Sequence, residues 1–247
     1  MNAFAMPSSP YLLSLVTAML ILPTQTYLNL PYLEACQYQI MKRSAMPLKS
    51  VETQFAVDST GFRTTKFGEY CHIKYNSNKR HKFLKAHLLI GTKTNIVASA
   101  QITDENGADS LKFIPLTITY QNGFSLNEVS ADKTYSERAN LDAIAEHGGV
   151  AYVPFKINAS QHGHLGKVWN KMFYYFQMCR DEFIEHHHKK SNIEMTNMAI
   201  KSKFGDRLKN KNIVSQTNEL LCKLMAYNIT VLISAIYELN IEPKLIS

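Results

Sequence analysis

The sequence lacks most of the short motifs that identify an enzyme class directly. It contains no G-x-G-x-x-G or Walker pattern, which argues against a dinucleotide or P-loop phosphate site, and no G-x-S-x-G elbow of a serine hydrolase. It also has no C-x-x-C pair, so neither a zinc ribbon nor a dithiol redox motif is indicated. The four cysteines are scattered, which fits buried thiols in a reducing, cytoplasmic compartment. They are Cys36, Cys71, Cys179 and Cys222.

Histidines are present, but not in the pattern of a catalytic zinc site. The run His186–His188 follows His147, His162 and His164 along the chain. No H-E-x-x-H spacing occurs, and adjacent histidines on a helix point in different directions. We therefore predict no zinc site.

The most apolar stretch, residues 11–22, lacks the features of a signal peptide. Residues 1–10 contain no Lys or Arg, the stretch has about half the length of a spanning helix, and Pro23 follows it. We predict a buried or partner-facing helix and no stable membrane association. Export or membrane contact is the alternative.

Charge is distributed unevenly. The chain of 247 residues has 27 Lys and Arg against 20 Asp and Glu, a net charge of +7. The excess lies in two segments, 63–93 and 189–212. Two basic clusters favour a polyanionic partner such as nucleic acid, although solvated lysine faces of an ordinary basic protein give the same count.

The chain divides near residue 50. Residues 1–50 form an irregular N-terminal segment in which prolines interrupt short helical pieces, and residues 51–247 form one large domain. Periodicity predicts strands over 55–58, 85–92, 95–102, 128–131 and 150–155. It predicts helices over 109–120 (with Pro115 an obstacle), 136–146 (with Ser136 as N-cap and Gly148 beyond its end), 165–209 with one break, and 215–239.

Three successive strands followed by alternating helices and strands predict a mixed α/β sheet flanked by helices. This is also the element order of the ribonuclease-H-like fold. In such a sheet, polar residues at strand ends gather at one edge.

Two aspartates follow apolar strands directly. Asp58 comes after Phe55–Val57, and Asp132 comes after Val129–Ala131. A carboxylate in such a place is costly to bury unless it meets a cation or a hydrogen-bond donor. Each is therefore a candidate metal ligand, with a turn-capping aspartate as the alternative.

A third acid lies on a predicted helix with basic neighbours. At 100° per residue, Glu194 shares one narrow stripe with His187, Lys190 and Lys201. A separate apolar stripe contains Ile193, Ile200 and Phe204. The helix thus packs one face on a core and presents an acid among bases, an arrangement that a solvated face with i,i+4 charge pairs also produces.

These residues resemble the three acidic motifs of insertion-sequence transposases with a DDE domain. Phe55–Phe62 is similar to the first motif, and Ala131–Tyr135 to the second. The third motif has the spacing Tyr-x2-Arg-x3-Glu-x6-Lys, which the stripe of His187, Lys190, Glu194 and Lys201 keeps with its first two residues substituted. Residues 203–208 and 218–228 are also similar, and the resemblance covers about 45–243. Because family members usually carry a longer N-terminal region that binds transposon ends, residues 1–50 are expected to be a remnant of one.

The resemblance implies a metal-dependent DNA transposase. Asp58, Asp132 and Glu194 would be catalytic and would hold two Mg²⁺ (or Mn²⁺) ions for strand cleavage, after which the freed 3′-hydroxyl attacks target DNA. The implied partners are double-stranded DNA, at transposon ends and target, and a second copy of the chain in an active homodimer at the nucleoid. The residues implied to bind DNA are Lys201, Lys190, His187, Lys133 and Arg63.

The basic segment 63–93 would contact the DNA backbone. Its aromatic residues Tyr70, Tyr75 and Phe83 would stack on unpaired bases or, alternatively, belong to the core.

Three rival functions stay open from the sequence. The chain could be a non-catalytic descendant that still binds DNA, or a ribonuclease-H-like nuclease without strand transfer. A basic structural protein is the third alternative, and it predicts no metal binding.

Overall fold

A computed structural model describes residues 38–39, 41–64, 83–117, 123–160 and 166–238. The predicted helix over 11–22, residues 65–82 of the basic segment with Tyr70 and Tyr75, and the histidines at 162 and 164 lie outside these residues. Of the N-terminal segment, the described part is helical over 38–39 and 41–45 and continues in a short 3-10 helix, Met46–Leu48.

Five strands form one mixed sheet in the order β3-β2-β1-β4-β5. The central strand β1 pairs antiparallel with β2 and parallel with β4, β2 pairs antiparallel with β3, and β4 pairs parallel with β5. The strands are β1 (Gln54–Arg63), β2 (Phe83–Gly91), β3 (Val97–Asp104), β4 (Glu128–Ala131) and β5 (Val150–Tyr152). This arrangement confirms the predicted α/β mixed sheet of the ribonuclease-H-like type.

Helices flank the sheet. α1 packs on β2 and β3, α2 on β5, α4 on β4 and β5, α5 on β1, and α6 on β3, while α3 contacts α2 and α4. Their bounds are α1 (Ser110–Thr117), α2 (Arg138–Glu146), α3 (Lys167–Met178), α4 (Arg180–His188), α5 (Ser191–Phe204) and α6 (Ile213–Tyr237).

The alternation of side chains along β1 assigns its residues to two faces. Phe62 lies beneath the ammonium groups of Lys201 on α5 and Lys223 on α6, at 5.6 and 6.0 Å from its ring centre. Asp58 is four residues before Phe62 and shares that face. Its neighbour Ser59 pairs with His87 and takes the opposite face, toward α1. The face of Asp58 is therefore the one covered by α5.

Several predicted boundaries are wrong. β1 does not end at Asp58 but runs on to Arg63, because residues 59–61 pair with 85–87 of β2 despite their turn-like composition. Ser136 is not the N-cap of α2, since it ends a 3-10 helix, Lys133–Tyr135, and Glu137 precedes α2. Gly148 does follow α2 with a left-handed φ of 78°, as predicted.

The long helix predicted over 165–209 is three helices, α3, α4 and α5. α5 ends at Phe204, where Gly205 takes φ 79° and ψ 146°, a conformation that only glycine adopts readily. The chain then returns along β1, with the Arg63 N–H donating to the Asp206 carbonyl at 2.9 Å. Pro115, in contrast, is accommodated inside α1. Of the two cysteines described, Cys179 is exposed and Cys222 half-buried, so the expectation of buried thiols is wrong for Cys179.

The closing helix α6 combines core packing with one buried polar clamp. Asn228 is fully buried, and its side chain accepts from the Val97 N–H and donates to the Val97 carbonyl, each at 2.9 Å, and to Ser44 Oγ at 2.8 Å. By length and composition α6 could also cross a bilayer, and half of its most apolar stretch is buried within the protein.

Candidate active site

The two aspartates predicted at strand ends lie side by side, Asp58 within β1 and Asp132 just after β4. Val57 and Ala131 are the last paired residues of the parallel strands β1 and β4. Asp58 and Asp132 are the next residues on each strand, and Asp132 keeps an extended backbone with φ −68° and ψ 160°. Neighbouring strands are about 5 Å apart, so these two backbones are adjacent at the carboxyl end of β4. The sheet register thus brings together two acids that are far apart in sequence.

Glu194 reaches the same edge from a helix. It lies in the first turn of α5, is exposed, and belongs to a helix that packs on β1 through the buried Ile193 and Ile200. Its negative charge is felt at Asp58, whose pKa it raises. We refer to Asp58, Asp132 and Glu194 together as the carboxylate rim.

A lysine ammonium lies within this rim. Lys190, the residue before α5, is only 8% exposed, and its Nζ is 2.7 Å from Asp132 Oδ1. Its positive charge also lowers the pKa of Asp58. Lys190 is therefore a counter-ion to both Asp58 and Asp132.

Burial and like charge make Asp58 the most perturbed member of the rim. Removal from water is the largest effect and raises its pKa, and the charges of Asp132 and Glu194 raise it further. Lys190 and the Ser59 backbone N–H oppose this change. The net pKa lies above the ordinary value, chiefly because Asp58 is partly removed from water.

The basic residues predicted near the acids occupy different surroundings. His187 is half-buried beside Asp132 and donates to the Ala131 carbonyl, while burial is the main cause of its lowered pKa. Lys201 is half-buried over the Phe62 ring, and burial lowers its pKa too. Lys133, directly after Asp132, is exposed.

Arg63 lies at the end of β1 and is paired within the protein. Its Nη2 is 2.9 and 2.8 Å from the two carboxylate oxygens of Asp206, in a pair that is about half exposed. An exposed pair of this kind contributes little to stability. It nevertheless links the loop after α5 to the end of β1.

The single stripe predicted for Glu194, His187, Lys190 and Lys201 is interrupted, because the helix expected to carry it is broken in two. α4 ends at His188 and α5 begins at Ser191, with three-residue turns between them: the Lys190 N–H donates to the His187 carbonyl and the Ile193 N–H to the Lys190 carbonyl. Because a helical wheel assumes an unbroken helix, it placed Lys190 in one continuous polar stripe with Glu194 and Lys201. The break instead turns Lys190 inward.

Sequence reasoning assigned no role to Tyr135, which lies beneath the rim. Its side chain is 1% exposed and packs on Phe113 with ring centres 5.7 Å apart. Burial raises its pKa strongly, and the charges of Asp109, Asp58 and Asp132 add to this effect. A signal existed in the sequence, because Tyr135 ends the second acidic motif.

The rim has the donor chemistry of a divalent-ion site. Mg²⁺ prefers carboxylate oxygens, and the charges of Asp132 and Glu194, which both act on Asp58, favour a bound cation. A positive group already stands there, namely the Lys190 ammonium. In this arrangement no group of three or more His, Cys, Asp or Glu among the described residues converges to hold a metal ion. The residues thus fit a metal in chemistry and charge, with Lys190 in the cation's place.

A family model described as the transposase DDE domain matches residues 49–229, a span that includes all three acids of the rim. Comparison with individually curated proteins gives no match. Members of the matched family generally use divalent metal ions.

Proposed function

Because this chain belongs to the transposase DDE domain family, we propose that it cuts DNA strands and joins them to target DNA with the help of divalent metal ions. The observation that carries this proposal is the register that makes Asp58 and Asp132 neighbours on parallel strands, with α5 and its Glu194 packed on the same central strand. A transposase role follows from the family, and the chemistry follows from the carboxylate rim.

Asp58, Asp132 and Glu194 would hold Mg²⁺, or Mn²⁺ in its place. Ions bound there would supply positive charge that stabilises the entering and leaving oxygens of a phosphodiester during strand cleavage. Asp58 is fixed by the central strand and Asp132 by the end of β4, so both acids are held by rigid elements. Glu194 is exposed on α5, the helix that packs on β1, and would complete the set.

The nearby cations suit a polyanionic substrate. We assign DNA-phosphate contacts to Lys133, which is exposed beside Asp132, and to Lys201 on α5. Lys190 and His187 lie against the rim, and Arg63 would need to leave Asp206 to bind a phosphate. The partners proposed are double-stranded DNA, as transposon ends and target, and a second copy of the chain, in the cytoplasm at the nucleoid.

A plasmid assay tests the proposal. The full chain is incubated with Mg²⁺ and supercoiled plasmid carrying the DNA that flanks the coding sequence, and nicked and joined products are separated on gels. Since metal catalysis supplies several kcal/mol, Asp58→Asn should slow nicking by at least about 100-fold. The matched control is Asp181→Asn, which removes the same charge from an exposed position in the first turn of α4 and should leave the rate unchanged.

The products discriminate between the functions. Joined strands support a transposase, whereas nicked strands alone indicate a nuclease without strand transfer. Equal rates for wild type and Asp58→Asn, or nicking that survives a chelator, contradict the proposal.

A second candidate is a descendant that binds DNA without cutting it. The ion pair between Lys190 and Asp132 favours it, because a permanently neutralised Asp132 could not bind a metal. This candidate predicts salt-sensitive DNA binding with no nicked product at any Mg²⁺ or Mn²⁺ concentration.

A further inference from the structure

We infer that Lys190 is a built-in counter-ion that occupies the carboxylate rim when no metal is bound and must withdraw before a divalent ion can enter. The inference rests on the proposed function, because it concerns loading of the same site. It assigns to Lys190 a role different from the DNA contact predicted from sequence. Lys190 is then a residue that sets the metal affinity of the site.

The position of Lys190 is fixed by its neighbours rather than by chance. The preceding helix is anchored to β4, where Ser130 Oγ donates to the His186 carbonyl at 3.1 Å and His187 donates to the Ala131 carbonyl. The turn that follows brings Lys190 to the end of β4, directly at Asp132. The contacts that hold α4 on the sheet thus aim the Lys190 side chain into the rim.

The rim needs a positive charge in the absence of metal. The charges of Asp132 and Glu194 both act on Asp58, which is itself half-buried. Such a carboxylate is costly without a positive partner, and the Lys190 ammonium, bonded to the half-exposed Asp132 at 2.7 Å, offsets part of the cost at Asp58. Lysine suits this position because its ammonium is a compact point charge on a flexible stem, whereas arginine has a rigid planar fork.

An exit is open to the same side chain. The Asp132 side chain is 50% exposed, and Glu194 is exposed on the next turn of chain. A flexible lysine stem can therefore carry its charge from Asp132 to solvent or to a DNA phosphate without movement of the sheet. A divalent ion and Lys190 would then be alternative occupants of the site, and metal binding would be weakened by the fraction of protein with Lys190 in place.

Metal affinity tests this exchange without reference to catalysis. Binding of Mn²⁺ to the full chain is measured by titration calorimetry and by the electron paramagnetic resonance signal of free Mn²⁺. Lys190→Met keeps the apolar stem and removes the charge, and it should tighten Mn²⁺ binding by about tenfold or more, since no competing group must leave. Thermal unfolding verifies that the variant is folded, with Lys190→Gln as a second variant.

The matched control is Lys203→Met, which removes one charge from the exposed last turn of α5. It should change Mn²⁺ affinity less than twofold, because screening weakens distant surface charges. Tighter binding by Lys190→Met alone, or binding by that variant when wild type shows none, supports the inference. Equal or weaker binding by Lys190→Met overturns it while leaving the proposed metal site intact. No Mn²⁺ binding by either protein overturns the proposed function together with the inference.

A second readout uses the wild-type chain. Lys190 is buried and paired, so an amine-acetylating reagent should modify it slowly, and saturating Mn²⁺ should raise its labelling rate several-fold when the ammonium is displaced. Mass spectrometry quantifies each lysine, with Lys203 as an internal reference. An unchanged or lower rate for Lys190 in Mn²⁺ would overturn the exchange.

Discussion

At the scale of single residues, the main energetic cost of the site is that of keeping the charged Asp58 carboxylate partly buried. Its carboxylate is desolvated in the central strand and repelled by two other acids, and Lys190 and one backbone N–H offset only part of this. A side chain that destabilises the fold in this way is typical of a functional position, where chemistry takes precedence over stability.

The cost at Asp58 predicts a pH-dependent gain in stability for Asp58→Asn. The pKa of Asp58 in the folded protein lies above its ordinary value of 3.8, so folding favours the protonated form. The wild-type free energy of unfolding should therefore fall, relative to Asp58→Asn, as the pH rises from about 3.8 through the folded pKa, and the difference should then level off. Urea denaturation in a series of metal-free buffers measures this.

Asp181→Asn serves again as the matched control, because it removes one carboxylate from an exposed position outside the rim. A wild-type protein that gains stability relative to Asp58→Asn with rising pH would show that Asp58 is stabilised in its charged form, contrary to this description of the rim.

The apolar residues before Asp58 and Asp132 were sufficient to predict that the two acids lie together, although Asp58 lies within β1 and only Asp132 follows the end of a strand. The sequence was not sufficient for Lys190. The inward direction of that side chain depends on a break between two helices, and the break depends on tertiary contacts of His186 and His187 with β4. No local pattern encodes those contacts.

At the scale of elements, β1 shows why strand ends were harder to predict than strand centres. Residues 59–61 have turn-like composition, yet β2 supplies partners for each of them. Pairing with a neighbouring strand thus overrides a local preference. β4, in contrast, spans Glu128–Ala131 as predicted, because the following Asp132 turns the chain into a 3-10 helix.

The hydrogen bonds of Asn228 link α6 to the strand β3, and a substitution of Asn228 tests how much they stabilise the fold. Asn228→Ala would leave the buried N–H and carbonyl of Val97 without their side-chain partner and would remove the donor to Ser44 Oγ, whose own bond to the Met41 carbonyl remains. Because each unsatisfied buried group costs about 1–3 kcal/mol, we expect the free energy of unfolding to fall by about 2–4 kcal/mol. Urea denaturation monitored by circular dichroism provides the measurement.

An exposed asparagine gives the comparison. Asn158→Ala alters a solvent-facing residue after β5 and should change the free energy of unfolding by less than about 0.5 kcal/mol. If the two variants were equally stable, α6 would not be fastened to the sheet through Asn228.

At the scale of the whole molecule, the acids of the carboxylate rim lie at one edge of the sheet, whereas the chain as a whole has a net charge of +7. The element order in the sequence was enough to predict the ribonuclease-H-like sheet, since three strands followed by alternating helices and strands allow few topologies. Which basic residues face DNA could not be predicted in the same way, because Arg63 and Lys190 are paired with acids distant in sequence.

DNA binding should accordingly depend on salt through exposed lysines near the rim. Lys133→Ala removes an exposed charge beside Asp132. We expect weaker binding to all duplex sequences and a slope of log affinity against log salt concentration that is shallower by about 1. Fluorescence anisotropy between low and moderate salt measures both effects.

Lys171→Ala removes an exposed charge from α3 and is expected to leave the salt slope unchanged. The same slope for wild type and Lys133→Ala would place the DNA elsewhere on the molecule.

The most direct test of the metal-binding carboxylate rim is an anomalous diffraction map of the protein crystallised with Mn²⁺. We predict a peak about 2 Å from carboxylate oxygens of both Asp58 and Asp132, with Lys190 withdrawn from Asp132. A map with no peak at the rim, and with Lys190 still bonded to Asp132 at saturating Mn²⁺, would contradict the account.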